Sequence, residues 1–258
     1  MAVRLGDRDL KVLLKCAKAQ WLSTSQLQRL FFGGVTPDAV RRSLRRLTAA
    51  GYLTAYRENR MSEILHAVGP KGRPILEAKG IPVEIHRTPP RQLEHLMGIN
   101  DIRVAVETSG LEVAFFFAAW ELGEFGWRYE LIPDAVFALK LPERRTLIVE
   151  YDRGTETVDV VLRKVRLYGE GLGGFPIRAL LIVTEARERL RDLGAYLKDE
   201  IPAVPIFKSC LEDVRSEGIG SPVFVDVSGL GPAMVSIREI VKGPGAIREE
   251  FGPSSRSS

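Results

Sequence analysis

The sequence predicts an α+β / α/β protein in two parts, a small helical domain ending in a β-hairpin and then a mixed-sheet α/β domain. Apolar residues recur at helical spacing through the first 50 positions. Prolines then interrupt the chain at Pro70, Pro74, Pro82, Pro89 and Pro90. Beyond them, strand-like apolar runs alternate with helical segments, the order of a mixed sheet with helices on its faces. The expected domains are residues 1–88 and 89–242, and the Ser/Gly/Pro-rich tail 243–258 is expected to be disordered. Thr88-Pro89-Pro90 marks the expected boundary, because consecutive prolines hold a linker extended.

Within residues 9–20, Leu10, Leu14 and Ala17, with Trp21 following, form one apolar helical stripe. Ser23-Thr24-Ser25-Gln26 reads as a capping box opening a helix that carries Leu27, Leu30 and Phe31, and Gly33-Gly34 ends it. Thr36 as N-cap and Pro37 at the first helical position open a third helix, which runs to about Ala50 and stops at Gly51. Two short strands over 52–57 and 62–68 flank the polar turn Glu58-Asn59-Arg60. A short helix over 74–79 lies between proline breaks. The second domain begins with a helix over 92–108 and a strand over 111–120 centred on Phe115-Phe116-Phe117. Strands over 132–140 and 145–152 follow, joined by a turn around Pro142-Glu143. A helix over 156–170 closes in a glycine-rich turn at 171–174, then come a strand over 177–184, a helix over 186–198 and strands over 204–208 and 222–227.

With 45% apolar and 27% charged residues in a 258-residue chain, wholesale disorder, collagen and low-complexity fibres are excluded. No apolar run reaches the roughly 18 residues of a membrane span, so no membrane partner is expected. Residues 1–19 carry charges throughout and do not read as a secretory signal. Cys16 and Cys210 lie far apart and read as reduced thiols of a cytoplasmic protein. The net charge of +4 is unevenly divided: residues 1–91 hold 17 Lys+Arg against 7 Asp+Glu, and residues 92–258 hold 20 against 26. A basic module joined to an acidic one points to a nucleic-acid surface in the N-terminal third, with a solvated basic face as the alternative.

The third helix carries most of this signal. At 100° per residue Val40, Leu44 and Leu47 fall in one arc, while Arg41, Arg42, Arg45 and Arg46 cluster on the other side. Guanidinium forks bind phosphate bidentately or read guanine edges. Two helices, a turn, a basic helix and a hairpin are the parts of a winged helix-turn-helix, in which the third helix enters the major groove of double-stranded DNA. The hairpin tip, with Arg57 and Arg60, would touch the backbone.

In the second domain Asp134 stands at the entry of one strand, and Glu150 and Asp152 at the exit of the next. Paired as a hairpin, these strands bring the three carboxylates together, because residues two apart share a face. Such a cluster repels itself unless a cation or basic group neutralises it, and oxygen ligands suit Mg²⁺ or Mn²⁺. The alternative is that Asp134 caps a turn and the others are strand-end carboxylates paired with Arg153 or Lys164.

The segment Pro133-Asp134 followed by Glu150-Tyr151-Asp152 resembles the PD-(D/E)xK nuclease superfamily, and the order of elements from 92 to 184 is similar to its restriction-endonuclease-like core. The resemblance implies that Asp134 and Glu150 hold the metal, with Asp134, Glu150, Asp152 and Lys164 as catalytic residues. Asp152 departs from the pattern, which has lysine there; Lys164 on the following helix is the replacement the resemblance allows. The chain also resembles the plasmid replication-relaxation proteins, through residues 27–32, Arg45-Arg46-Leu47, residues 95–103, Trp120-Glu121, Pro133-Asp134, and Glu150-Tyr151-Asp152-Arg153-Gly154-Thr155-Glu156 with Lys164 and Tyr168. That likeness implies a role in replication or maintenance of plasmid or mobile-element DNA. A non-catalytic regulator, whose second domain mediates homodimer formation or partner binding, is the alternative.

Overall fold

A computed structural model describes residues 4–140, 145–170, 177–198, 200, 204–228 and 234–242. The expected turns at Pro142-Glu143 and 171–174, and the tail 243–258, lie outside the described residues. The protein is mixed α+β, with a small antiparallel sheet and a six-stranded mixed sheet. Two compact units divide it, Met1–Val104 and Ala105–Ser258.

The first unit runs α1 (Asp7–Ala19), β1 (Leu22–Ser23), α2 (Thr24–Phe31), α3 (Pro37–Ala49), β2 (Leu53–Tyr56), β3 (Leu65–Val68) and α4 (Arg73–Glu77). The capping box forms: Ser23 Oγ accepts from Gln26 N at 3.2 Å, and Gln26 Oε1 from Ser23 N at 3.0 Å. Thr36 stands at the N-cap of α3 without a side-chain capping bond, and Pro37 is its first residue. Gly51 stops α3 in the left-handed region, at φ +80°, where a side chain is strained. Val40, Leu44 and Leu47 are buried as the stripe requires, packed with Val12, Leu13 and Leu27. The antiparallel sheet has the order β1-β3-β2, so β1 adds a third strand to the expected hairpin. Two residues are too few to show a period of two, which is why the sequence did not reveal it.

Helix α5 (Leu93–Glu107) contains the division between the units. Its N-terminal part is fastened within the first unit. Asn100 Nδ2 donates to the carbonyls of Ala19 and Trp21 at 3.0 and 2.8 Å, and Gln26 Nε2 donates to Asp101 Oδ1 at 3.0 Å.

The second unit continues with β4 (Val113–Ala118), a 3-10 turn (Ala119–Glu121), α6 (Leu122–Phe125), β5 (Ala135–Leu139), β6 (Thr146–Asp152), α7 (Val158–Gly169), β7 (Ile177–Thr184), α8 (Arg187–Leu197), β8 (Ile206–Cys210), α9 (Leu211–Ser216), β9 (Val225–Asp226) and α10 (Ile237–Lys242). The strands follow this order in the sheet. Strands β4, β5 and β6 are antiparallel, β6, β7 and β8 parallel, and β9 antiparallel to β8. Parallel neighbours need crossovers, and α7 and α8 supply them. Val136, Ile148, Leu180 and Ile182 share one sheet face and pack with Val161 and Val165 of α7 and Leu193 and Leu197 of α8. No helix among the described residues is long and apolar enough to cross a membrane.

Candidate functional site

The hairpin register sets Ala135 opposite Val149 and Val136 opposite Ile148. One step further, Asp134 comes opposite Glu150, on the face that carries Val136 and Ile148. Asp134 Oδ2 accepts the backbone N–H of Tyr151 at 2.7 Å. Glu150 is buried, and its carboxylate is gripped twice from α7: Lys164 Nζ lies 3.2 Å from Oε2, and the Tyr168 hydroxyl donates to Oε1. Lys164 also reaches Glu156 Oε2 at 2.9 Å. Residues 164 and 168 are one helical turn apart, so both donors project from the same side of α7.

The electrostatics follow from this packing. Burial, and then the charge of Asp134, push Glu150 up to about 7, although Lys164 and Tyr168 pull the other way. Burial disfavours charge on Lys164, but Glu150 and Glu156 outweigh it and hold the ammonium above its ordinary value. Burial, and then the Glu150 charge, raise the Tyr168 phenol, so it stays protonated and remains a donor.

Asp152 takes a different set of partners. Arg189 Nε of α8 donates to its Oδ2 at 2.6 Å, and the Gly154 N–H donates to Oδ1 at 2.7 Å. The same arginine donates to the Glu156 carbonyl at 2.8 Å. Asp152 and Arg189 therefore anchor the turn that delivers Glu156 to Lys164. A small pocket lies here, its lining including Glu150, Asp152, Glu156, Lys164, Val161 and Ile182. Among the described residues no three His, Cys, Asp or Glu side chains are grouped so as to hold a metal ion. Asp134 and Glu150 are the two carboxylates that could face a cation here, and the Lys164 ammonium already stands beside Glu150. Two carboxylates completed by water suffice for Mg²⁺, and a cation would relieve the repulsion that raises Glu150.

The arginines of the first unit divide as well. Arg46 closes on Asp9 at 2.7 Å through both carboxylate oxygens, which ties α3 to the start of α1. Arg41 pairs with Asp38 on its own helix at 2.9 Å. Arg42 and Arg45 are exposed and have no hydrogen bond or ion pair among the described residues. Between β2 and β3, Arg57 Nε donates to the Ser62 carbonyl at 3.0 Å, and Arg60 is exposed with no such partner among the described residues.

Three residues had no assigned part in the sequence reading of this site. Arg189 comes from a helix 37 positions beyond Asp152, and nothing local announces it. Glu156 and Tyr168 stood in the sequence only as members of a motif; the one-turn spacing from Lys164 was the available signal for Tyr168. Buried Glu121 accepts the Ala118 N–H at 2.9 Å and so closes the 3-10 turn after β4.

No curated protein and no solved structure matches the sequence. The replication-relaxation family matches residues 13–173, which is more than half of the chain and takes in both the α3 arginines and the Asp134, Glu150 and Lys164 cluster. On that match, the chain belongs to the replication-relaxation family.

Proposed function

We propose that this protein binds double-stranded DNA through its first unit and acts in replication or maintenance of plasmid or mobile-element DNA. Family membership supports the replication-related role. The order helix, strand, helix, basic helix, hairpin supports a winged helix-turn-helix. The observation that carries DNA binding is the selective neutralisation on α3. Arg41 and Arg46 are paired within the fold, whereas Arg42, Arg45 and, in the hairpin loop, Arg60 stand in water without an acidic partner among the described residues. Charge left in that state is available to phosphates. The test is duplex binding over a salt series. Arg42→Ala/Arg45→Ala should weaken binding to every sequence and lower the salt slope by about two. A wild type that binds no duplex at low salt would point to a protein–protein adaptor.

A second reading, a metal-dependent nuclease, is favoured by one observation: Asp134, Glu150 and Lys164 meet at one strand end. Asp134 and Glu150 would hold Mg²⁺ or Mn²⁺, which would supply Lewis-acid polarisation of a phosphodiester and an activated water. Lys164, 3.2 Å from Glu150, would in this reading neutralise charge developing beside it. In this reading Asp152 keeps Glu156, and through it Lys164, in position. Nicking of supercoiled plasmid with either metal, lost in Asp134→Ala and Lys164→Met, is the expected result. Intact plasmid with both metals would leave the non-catalytic regulator, with the second unit mediating dimerisation or partner binding.

A further inference from the structure

The hairpin loop between β2 and β3 is closed on itself. Asn59 Oδ1 accepts the N–H groups of Met61 and Ser62 at 2.8 and 2.9 Å, and Arg57 Nε holds the Ser62 carbonyl from the other side. This bonding fixes the backbone of the tip and leaves Met61 95% exposed. The next most exposed large apolar side chain among the described residues, Ile132, is 60% exposed. Single exposed apolar residues are common on protein surfaces. Here, however, the loop is organised to hold one out, among Arg57, Glu58, Asn59 and Arg60, which are all exposed. An apolar tip flanked by two guanidinium groups, Arg57 and Arg60, against the single carboxylate of Glu58 fits a ligand with an anionic rim and an apolar floor. The minor groove of duplex DNA has that form: phosphates line its edges, and sugars and base edges its depth.

We propose that Met61 is a wedge that enters the minor groove beside Arg60, partly unstacks one base step and bends the duplex. The inference rests on the DNA-binding reading above and adds a residue, a groove and a deformation to it. Methionine suits the task, because its unbranched, polarisable thioether fits an irregular gap. Pyrimidine–purine steps, above all TA, open at least cost, and a narrow A·T groove attracts arginine. The preferred site is therefore a TA step within an A·T-rich segment.

The experiment uses the full chain and end-labelled duplexes of about 30 base pairs with a central TA step in A·T sequence, or all G·C, read by affinity, salt slope and end-to-end energy transfer. Wild type should draw the ends of the TA duplex together. Met61→Ala should bind it about tenfold more weakly and leave it straight, while Met61→Leu keeps both properties. Arg60→Ala should lower the salt slope by about one. Because Met61 is exposed, unchanged thermal unfolding of its variants is expected and removes misfolding as an explanation. Met61→Ala that binds and bends like wild type overturns the wedge. If Arg42→Ala/Arg45→Ala still weakens binding and lowers the salt slope in that case, DNA binding by α3 survives without the wedge. A wild type that binds no duplex removes both.

Discussion

The two charged regions of this molecule are built in opposite ways. On α3 and the hairpin tip, Arg42, Arg45 and Arg60 keep their water, and no carboxylate is set against them among the described residues. Around the end of β6, Glu150, Asp152, Lys164 and Arg189 are buried or half-buried, and each side chain has a named partner. Charge left in water keeps its long-range field and is damped by salt. Charge taken out of water must be matched atom by atom, and the set then resists the loss of any member. The first region should therefore answer to ionic strength, and the second to mutation and pH.

The largest expected effect tests this directly. Asp152→Ala leaves Arg189, whose side chain is only 16% exposed, without its carboxylate, and Gly154 without its acceptor. Removing one member of such a pair costs about 3 kcal/mol, read as a shift in chemical unfolding. Arg42→Ala should move the same transition by no more than about 0.5 kcal/mol. Equal small shifts for both variants would erase the contrast between the regions.

Much of each region was legible in the sequence, for different reasons. Helical spacing placed Val40, Leu44 and Leu47 in the core and turned the four arginines of α3 away from it, because a helix face is fixed by local geometry. Strand spacing and hairpin pairing brought Asp134 beside Glu150 for the same reason. Local pattern does not reveal which partner a long side chain chooses. Arg46 looked equivalent to Arg45, yet Asp9, 37 positions earlier, claims it. Asp152 shares a strand face with Glu150, yet Arg189 of α8 takes its carboxylate. Short elements such as β1, α9 and α10 were invisible because they fall below the length at which periodicity shows.

Acid should act on the two units with opposite signs. In the second unit, Glu150 rises from 4.5 to about 7 on folding, mainly through burial. A raised group contributes stability that is present below 4.5 and lost as the pH rises through about 7. In the first unit, burial lowers His66 from 6.5 to about 4. A lowered histidine contributes stability that is present above 6.5 and lost as the pH falls through about 4. Each swing has an upper size of about 3 kcal/mol. Amide hydrogen exchange in chelator, corrected for intrinsic rate, should show the second unit gaining protection and the first losing it between about pH 8 and pH 5. Glu150→Gln should flatten the trend in the second unit alone. A parallel trend in both units would mean that Glu150 is not held beside Asp134 in a dry setting.

The smallest effect separates two arginines that the sequence treats alike. Arg46 is 40% exposed while its partner Asp9 is 10% exposed, so solvent screens much of the pair, and Arg46→Ala should cost only about 1 kcal/mol. Because its charge is already met by Asp9, this variant should lose little affinity for duplex and little salt slope. Arg45→Ala should do the reverse, leaving unfolding unchanged and lowering the slope by about one. Asp9→Ala sharpens the distinction further. It removes the carboxylate that holds Arg46 and accepts the Gly6 N–H at 3.0 Å, so it should lower stability. It should at the same time release a cation onto the face of α3 and raise duplex affinity, and adding Arg46→Ala should cancel that gain. If Arg46→Ala alone weakens duplex binding as much as Arg45→Ala and leaves unfolding untouched, the Asp9 pair does not restrain Arg46, and all four arginines of α3 then belong to one solvated surface.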